Sequence, residues 1–379
     1  KYHYLQLPHR VSGKPLPEVQ LIRETPSFKV GEEISTASLS DDETVAKDIP
    51  VAKEVIDALA ENGKAGNQAM VLVNRRGYAY YLLSLEEKKA VQCPNCSISL
   101  TLHSRSKVLR CHYCDYRTTL GKVLEQYPGE TFVAVGFGSE KAENYLKEQL
   151  EPLKVKRLDS DILSHREQLE TILGQFRNGS VDVLVGTQIL AKGHDFPNVT
   201  LICLLEVDQL LNLPDFRSGE RTFQLLVQAA GRAGRAEKPG KVLVQCLKDD
   251  NPTVQAALRH DYQAFAEREL DFRRACGYPP FRKMVAWEIS ATDEPKLNRL
   301  AQAMGDWLDL GAATWPQVKI MGPIIPPIAT IRGRHRRSLL FASSHFGQLR
   351  HMTRSFRESF RKLPTGIRMK LDVDPQSLL

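Results

Sequence analysis

The chain has 379 residues, 42% hydrophobic, 26% charged and 7% aromatic, with a net charge of +7. That length predicts two or three domains, and the composition excludes collagen-like, disordered and disulfide-stapled classes. No apolar run approaches the roughly 18 residues of a membrane span, no signal-peptide pattern is read, and the first residue is Lys1 rather than Met, so the natural start need not be here.

In chain order, residues 1–50 read as a connector, with Pro8, Pro15, Pro17 and Pro26 and an acidic run at Asp41–Glu43. Residues 51–250 read as one lobe. Val51, Val55, Ile56, Leu59 and Ala60 recur at helical spacing, and an apolar strand, Ala69–Val73, follows. A cysteine-bearing insertion occupies 84–127. Alternation then resumes with strand Thr131–Val135, helix Ser139–Leu150, strand Lys154–Leu158 and helix Gln168–Arg177. Strands Val181–Gly186 and Val199–Val207, helix Ser218–Gly231 and strand Lys241–Leu247 complete it. Continuous Val/Leu runs separated by helices predict a buried, mainly parallel sheet, hence an α/β fold.

A helix over Thr253–Ala275 fills a linker at 251–283 that ends near Pro279–Pro280. Residues 284–379 read strand (Met284–Ser290), helix (Pro295–Leu310), strand (Val318–Met321), strand (Ser338–Ser344), helix (Phe346–Leu363), strand (Arg368–Val373). That order fits a ferredoxin-like α+β domain.

Charge is unevenly placed. Residues 331–370 hold eleven Lys and Arg against the single acid Glu358, a local net of +10, which leaves −3 for the rest. Such a block suits a polyanion, nucleic acid above all; a solvated basic face is the plainer alternative. Arg350, Arg354, Arg357 and Arg361 follow 4, 3, 4 spacing along one helix face, with Leu349, Met352, Phe356, Phe360 and Leu363 on another. Arg332, Arg334, Arg336 and Arg337 are read in the loop before it, completing a surface that could follow a phosphate backbone. A membrane-surface helix is disfavoured because its apolar face has a sheet to cover.

Seven cysteines occur, an odd number, and four crowd into Cys93-Pro-Asn-Cys96 and Cys111-His-Tyr-Cys114. Two CxxC knuckles joined by a hairpin-length link (Ile98–Leu102, Lys107–Arg110) can wrap one Zn²⁺ in four thiolates. With no coordination position open, that zinc is structural. A redox pair is the rival, weakened by the tandem arrangement. His103 and His112 read as a hairpin residue and a knuckle filler. Cys203, Cys246 and Cys276 read as inert thiols, a usage that suits a reducing cytosol.

Two further segments point to phosphate chemistry. A buried strand ends in Gly186-Thr187-Gln188, followed by Lys192-Gly193-His194-Asp195. Polar groups at the carboxyl end of a parallel strand sit where α/β sheets bind ligands, although a plain strand and turn would read the same way. Downstream, Gln228-Ala-Ala-Gly-Arg232-Ala-Gly-Arg235 puts two arginines three apart, each after a glycine, at a helix end. Such a pair can neutralise a transferring γ-phosphoryl group.

These two segments resemble motifs V and VI of superfamily 2 helicases. With Asn74-Arg-Arg-Gly77, the Cys knuckles, Asp215-Phe-Arg-Ser-Gly-Glu220 and Asp372-Val-Asp-Pro375, the whole chain resembles the second half of the primosomal protein N′ (PriA) family of replication-restart helicases. The resemblance implies a second RecA-like lobe, an inserted zinc ribbon and a C-terminal DNA-binding domain over 284–379. It implies Arg232 and Arg235 as arginine fingers, and Gly193, Asp195 and Gln228 as nucleotide-coupling residues. Thr187, Gln188 and Lys192, with the C-terminal arginines, would contact forked and single-stranded DNA. Primosome proteins and single-stranded-DNA-binding protein follow as partners of a monomer in the bacterial cytoplasm, with no membrane partner.

The sequence departs from that pattern twice. The positions of the family's second four-cysteine zinc site fall on Ser84, Glu87, Leu124 and Tyr127, so one Zn²⁺ is expected rather than two. No Gly-Lys pair (13–14, 63–64, 121–122, 240–241) continues to Ser or Thr, and there is no Asp-Glu-x-His box, so ATP and Mg²⁺ require a first lobe not in this chain. By itself the chain is expected to be inactive. Either it is part of an ATP-dependent 3′–5′ DNA helicase that recognises stalled or abandoned forks and starts primosome assembly, or it is a non-motor DNA-binding scaffold that recruits the replicative helicase loader. A zinc-ribbon adaptor for RNA or protein is a weaker third option.

Overall fold

The computed structural model describes residues 17–23, 51–73, 81–84, 86–87, 89–95, 98–103, 108–111, 114–130, 132–135, 139–158, 166–187, 196–233, 239–246 and 250–378. The lobe is built on a six-stranded sheet, every pairing parallel. Strand β1 (Glu18–Arg23) comes first, then helix α1 (Lys53–Lys64), β2 (Gln68–Leu72) and β3 (Tyr81–Ser84). The insertion contributes β4 (Thr101–His103), β5 (Val108–Arg110), β6 (Arg117–Thr119) and α2 (Leu120–Gln126). Next come β7 (Phe132–Val135), α3 (Ser139–Gln149), β8 (Val155–Leu158), α4 (Arg166–Arg177), β9 (Val183–Gly186) and β10 (Val199–Leu204). Helices α5 (Val207–Leu211) and α6 (Ser218–Ala230) and strand β11 (Lys241–Cys246) close the lobe.

Sheet order is β1-β11-β10-β2-β9-β8. The near-continuous apolar runs follow from burial of both faces. Met70, Leu72, Leu184, Ile202, Leu204, Val242 and Val244 pack into one core with the helices α4, α6 and those that follow. Their neighbours Ala69, Val71, Val183, Val185, Leu201, Cys203 and Leu243 point the other way, onto α1 and α3. This is a RecA-like α/β lobe.

Helices α7 (Pro252–Leu258) and α8 (Tyr262–Cys276) lead to β12 (Lys283–Ala291), α9 (Glu294–Gly311), β13 (Lys319–Ile324), β14 (Thr330–Ile331), β15 (Arg334–Ser343), α10 (Phe346–Ser359) and β16 (Arg368–Val373). The order β13-β15-β12-β16, antiparallel throughout, is the ferredoxin-like arrangement. Trp287, Phe341 and Phe356 fill the core between this sheet and α9 and α10.

Six expectations need correction. The expected connector donates β1, a sheet-edge strand paired to β11. Residues 132–135 form a strand, but it pairs antiparallel with β3, outside the main sheet. Strand Val199–Val207 stops at Leu204, because Glu206 turns left-handed (φ 52°) and α5 begins. The single helix over Thr253–Ala275 is two. His260 takes φ 53° between them, and the side chains of Asn251 and Asp261 accept from backbone N–H groups at the two helix starts. Strand β15 begins at Arg334 rather than Ser338, and α10 ends at Ser359, leaving Arg361 beyond it.

The insertion and the C-terminal domain are not separate bodies. Ile98, Leu100, Leu109, Leu120 and Val123 of the insertion share one core with Phe216, Tyr278, Met284, Met321 and Leu340. Among the described residues no helix is long and apolar enough to cross a membrane.

Candidate functional site

The metal centre is assembled by backbone turns. The Cys93 N–H donates to the carbonyl of Ile98 and the Cys111 N–H to that of Tyr116, each at 2.8 Å, folding the two knuckles back on themselves. The donor atoms of Cys93, Cys111 and Cys114 lie within 4.8 Å of one another, with Cys93 Sγ 3.5 Å from Cys114 Sγ. Cys96 lies outside the described residues. In the second knuckle Asp115 takes φ 61°, and its carboxylate is held by Arg110 and by Arg117 Nη2 at 2.9 Å. That clamp fixes the turn that carries Cys114. Three converging soft donors fit Zn²⁺, and with Cys96 as the fourth the ion would only be structural.

At the second-site positions the chemistry is different. Ser84 Oγ accepts the Glu87 N–H at 3.1 Å, and Glu87 pairs with Lys89 at 3.2 Å. Leu124 and Tyr127 pack on the ribbon core, Tyr127 edge-on to Phe132 with centroids 5.9 Å apart. Apolar contact and a turn hydrogen bond occupy what would otherwise be ligand positions. Among the described residues, the three knuckle cysteines are the metal-competent cluster.

Helix α6 carries the arginine motif at its end. It stops at Ala230; the Gly231 N–H reaches Val227 O at 3.0 Å and the Arg232 N–H reaches Ala229 O at 2.9 Å. Ala233 is buried in the lobe core and so pins the turn, leaving Arg232 half-buried. Gln228 is exposed on the last turn of the helix. Thr187, directly after β9, is buried, and its Oγ1 has no hydrogen-bond partner among the described residues. Gln188, Lys192, Gly193, Asp195, Arg235 and the 74–77 segment lie outside the described residues.

The basic cluster divides in two. Arg336 pairs with Glu288 at 2.7 Å, and Arg337 pairs with Glu294 at 2.8 Å. Arg334 donates to the carbonyls of Ser290 (2.7 Å) and Gly366 (2.8 Å). Expected in a loop, these three sit in β15; Arg336 and Arg337 are buried and ion-paired inside the domain, and Arg334 is half-buried and tied to backbone carbonyls. Sequence alone could not reveal this, because the pairing acids are 43 or more positions away. Arg350, Arg354 and Arg357 are exposed on α10 with no ion pair among the described residues, while Leu349, Met352 and Phe356 are buried beneath. Arg361 and Lys362, just past α10, are exposed as well, and so are Arg368 and Lys370 of β16, which alternate with the core residues Met369 and Leu371.

Sequence reasoning quoted Asp215–Glu220 only for its resemblance; the structure makes it a junction. Arg217 grips Glu220 with two hydrogen bonds (2.5 and 2.9 Å), and Arg273 of α8 reaches the same carboxylate at 2.8 Å. Those guanidiniums, Arg217 first, hold the Glu220 carboxyl down at about 2 against the opposing effect of burial. Glu269, which shares Arg273, goes the other way, because its burial outweighs the pairing. A depressed carboxyl contributes stability above its unfolded pKa and loses it as pH falls through the folded value. The melting-temperature gap between the protein and its Glu220→Gln variant should therefore close as pH drops from about 4.5 towards 2. A gap that does not change with pH would show that Glu220 is not ion-paired in solution.

Three family models match this chain in tandem. Residues 93–118 match the PriA DNA helicase Cys-rich region (CRR) domain, 115–237 the helicase conserved C-terminal domain, and 274–376 the primosomal protein N C-terminal domain. The replication restart protein PriA of Bacillus subtilis (strain 168) is 33% identical over 382 residues, covering 100% of this chain and 45% of that protein. Its counterpart in Haemophilus influenzae is 35% identical over 328 residues, covering 86% of this chain and 45% of the relative. The Synechocystis protein of the same name is 32% identical over 381 residues, covering 99% and 43%. The chain thus spans a little under half the length of these relatives.

Proposed function

The chain belongs to the PriA family and corresponds to its C-terminal part, and from that premise we propose that it supplies the second motor lobe and the DNA-gripping domain of an ATP-dependent 3′–5′ DNA helicase. The natural-length protein would recognise stalled or abandoned replication forks in a bacterial cytoplasm and begin primosome assembly there. Forked and single-stranded DNA would be its substrate. Primosome proteins and single-stranded-DNA-binding protein would be its partners. One Zn²⁺ on Cys93, Cys96, Cys111 and Cys114 would hold the ribbon, and ATP with Mg²⁺ would bind only with a first lobe. Arg232 and Arg235 would then face the γ-phosphate, where fixed guanidinium charge stabilises a transferring phosphoryl group.

The observation that carries the DNA reading is the bare arginine face of α10. Three exposed guanidiniums on one side of a helix anchored by Leu349, Met352 and Phe356 form a rigid cationic row on a buried support. Each phosphate such a row neutralises releases counterions, so affinity falls with salt with a slope of about 0.9 per contact. The combined Arg350→Gln, Arg354→Gln and Arg357→Gln variant is expected to flatten the log–log salt dependence of fork binding by about 2 to 3. A slope equal to the parent's would place the DNA elsewhere.

The non-motor scaffold is the alternative, favoured by the Ser84, Glu87, Leu124 and Tyr127 substitutions in the insertion. Fork-stimulated ATP turnover by the natural-length product separates the two. A scaffold binds forks with the same salt dependence but does not respond to ATP.

A further inference from the structure

The segment Asp215–Arg221, at the base of the arginine-bearing helix, is clasped by residues from the far end of the C-terminal domain. Asp215 is only 1% exposed, and its carboxylate is fully used. Oδ1 accepts the Arg217 N–H at 2.9 Å; Oδ2 accepts the Ser377 hydroxyl and the Leu378 N–H, both at 3.2 Å, and pairs with Arg221 at 3.0 Å. The Gln376 carbonyl accepts from Arg221 at 2.6 Å and from Arg217 at 3.3 Å. Between them, Phe216 stacks on Tyr278 with centroids 5.5 Å apart, and the Arg273 guanidinium lies over the Phe216 ring, 5.4 Å from its centre. Leu378 packs into the core that the ribbon shares with the C-terminal domain.

Thus one end of α6 is tied to the ribbon and C-terminal domain, and the other end runs into the turn at Gly231–Ala233 that carries Arg232. A 13-residue helix is a rod of about 20 Å. Its base is fixed by contacts that centre on the buried Asp215 carboxylate and reach out to the exposed Gln376 carbonyl, and such contacts switch between made and broken more readily than they stretch.

We propose that Asp215, Arg217 and Arg221 are positioning residues: by gripping Gln376–Leu378 they tie the DNA-holding domain to α6 and so set where the arginine turn stands. This deepens the motor reading and rests on it, since the turn matters only if it faces nucleotide. None of the three touches nucleotide; they act through the helix.

The test uses the natural-length protein in two altered forms, one ended after Pro375 and one carrying Arg221→Lys. The second keeps the charge but loses the simultaneous hold on Asp215 and Gln376, and it guards against a truncation that does not fold. Fork-stimulated turnover should fall about 5- to 20-fold, with unstimulated turnover and fork affinity unchanged. Independently of any ATP chemistry, amide exchange across 226–233 should accelerate in both forms. Unaltered exchange would overturn the tie, and stimulation at the parent's level would overturn its control of the turn. Fork affinity lost in parallel would overturn it too, making residues 376–378 part of the DNA platform. If the motor reading fails, because Arg235→Ala leaves turnover unchanged, the exchange measurement still decides whether the clasp holds α6.

Discussion

Arg235→Ala in the natural-length protein is expected to lower fork-stimulated ATP hydrolysis by about a thousandfold while fork binding stays within about twofold. The size of the effect follows from charge, and the placement that supports it is seen at Arg232. Arg232 directly follows the Gly231 turn, whose N–H groups are already satisfied by Val227 and Ala229, and Ala233 seats the turn in the core. A guanidinium leaving such a turn is placed before the reaction begins, so little reorganisation is needed when charge develops on phosphate. The Arg232→Ala partner variant should lose turnover as well, and the double variant should lose little more than the worse single, because the pair serves one phosphoryl group. Turnover equal to the parent's in Arg235→Ala would remove the motor assignment. Binding lost along with turnover would mean the turn grips DNA instead.

The second large effect is expected at the metal centre. Elemental analysis should return one zinc per chain, and Cys111→Ser should reduce it to zero. Cys111 is fully buried at the foot of the second knuckle, next to Leu109 in the ribbon core. Structural zinc contributes an apparent ~10–16 kcal/mol to small sites at neutral pH, more than three short strands and one helix of seven residues can replace. Because Leu100 and Leu109 share a core with Phe216, Tyr278 and Leu340, damage should spread to the C-terminal domain, with fork binding and thermal stability lost together. Cys276→Ser, outside the knuckles, should leave the zinc at one. A reading of two zincs would show that Ser84, Glu87, Leu124 and Tyr127 do not mark a lost site.

Several features were legible before any coordinates. Continuous Val/Leu runs separated by helices announced the parallel sheet, since strands covered on both faces need no polar side. The CxxC spacing announced the knuckles, since ligand spacing within a tight turn is a local constraint. The Leu349, Met352, Phe356 stripe announced the buried face of α10, and the arginines between them its exposed face. Each of these signals lies within one element, where neighbours in sequence are neighbours in space.

What the sequence could not display depends on partners distant along the chain. A strand inside an apparent connector became visible only once β11 offered it an edge. Arg336 and Arg337 looked like free charge until the fold buried them against Glu288 and Glu294, which removed them from the cationic surface, and Arg334 was tied to the Ser290 carbonyl. The left-handed turn at Glu206 and the break at His260 were missed because an apolar run carries no sign of where the backbone must leave its strand or helix. Asp215 was legible only as part of a resembling segment, yet it sits 162 positions from Ser377 in sequence and 3.2 Å from it in space. The sequence by itself determined the elements, the metal knuckles and the arginine motif, because those are written in local spacing. Tertiary structure alone decided which charges are spent inside the molecule and which remain for a ligand, because an ion pair depends on distance and solvent exclusion, and neither is a property of a linear chain.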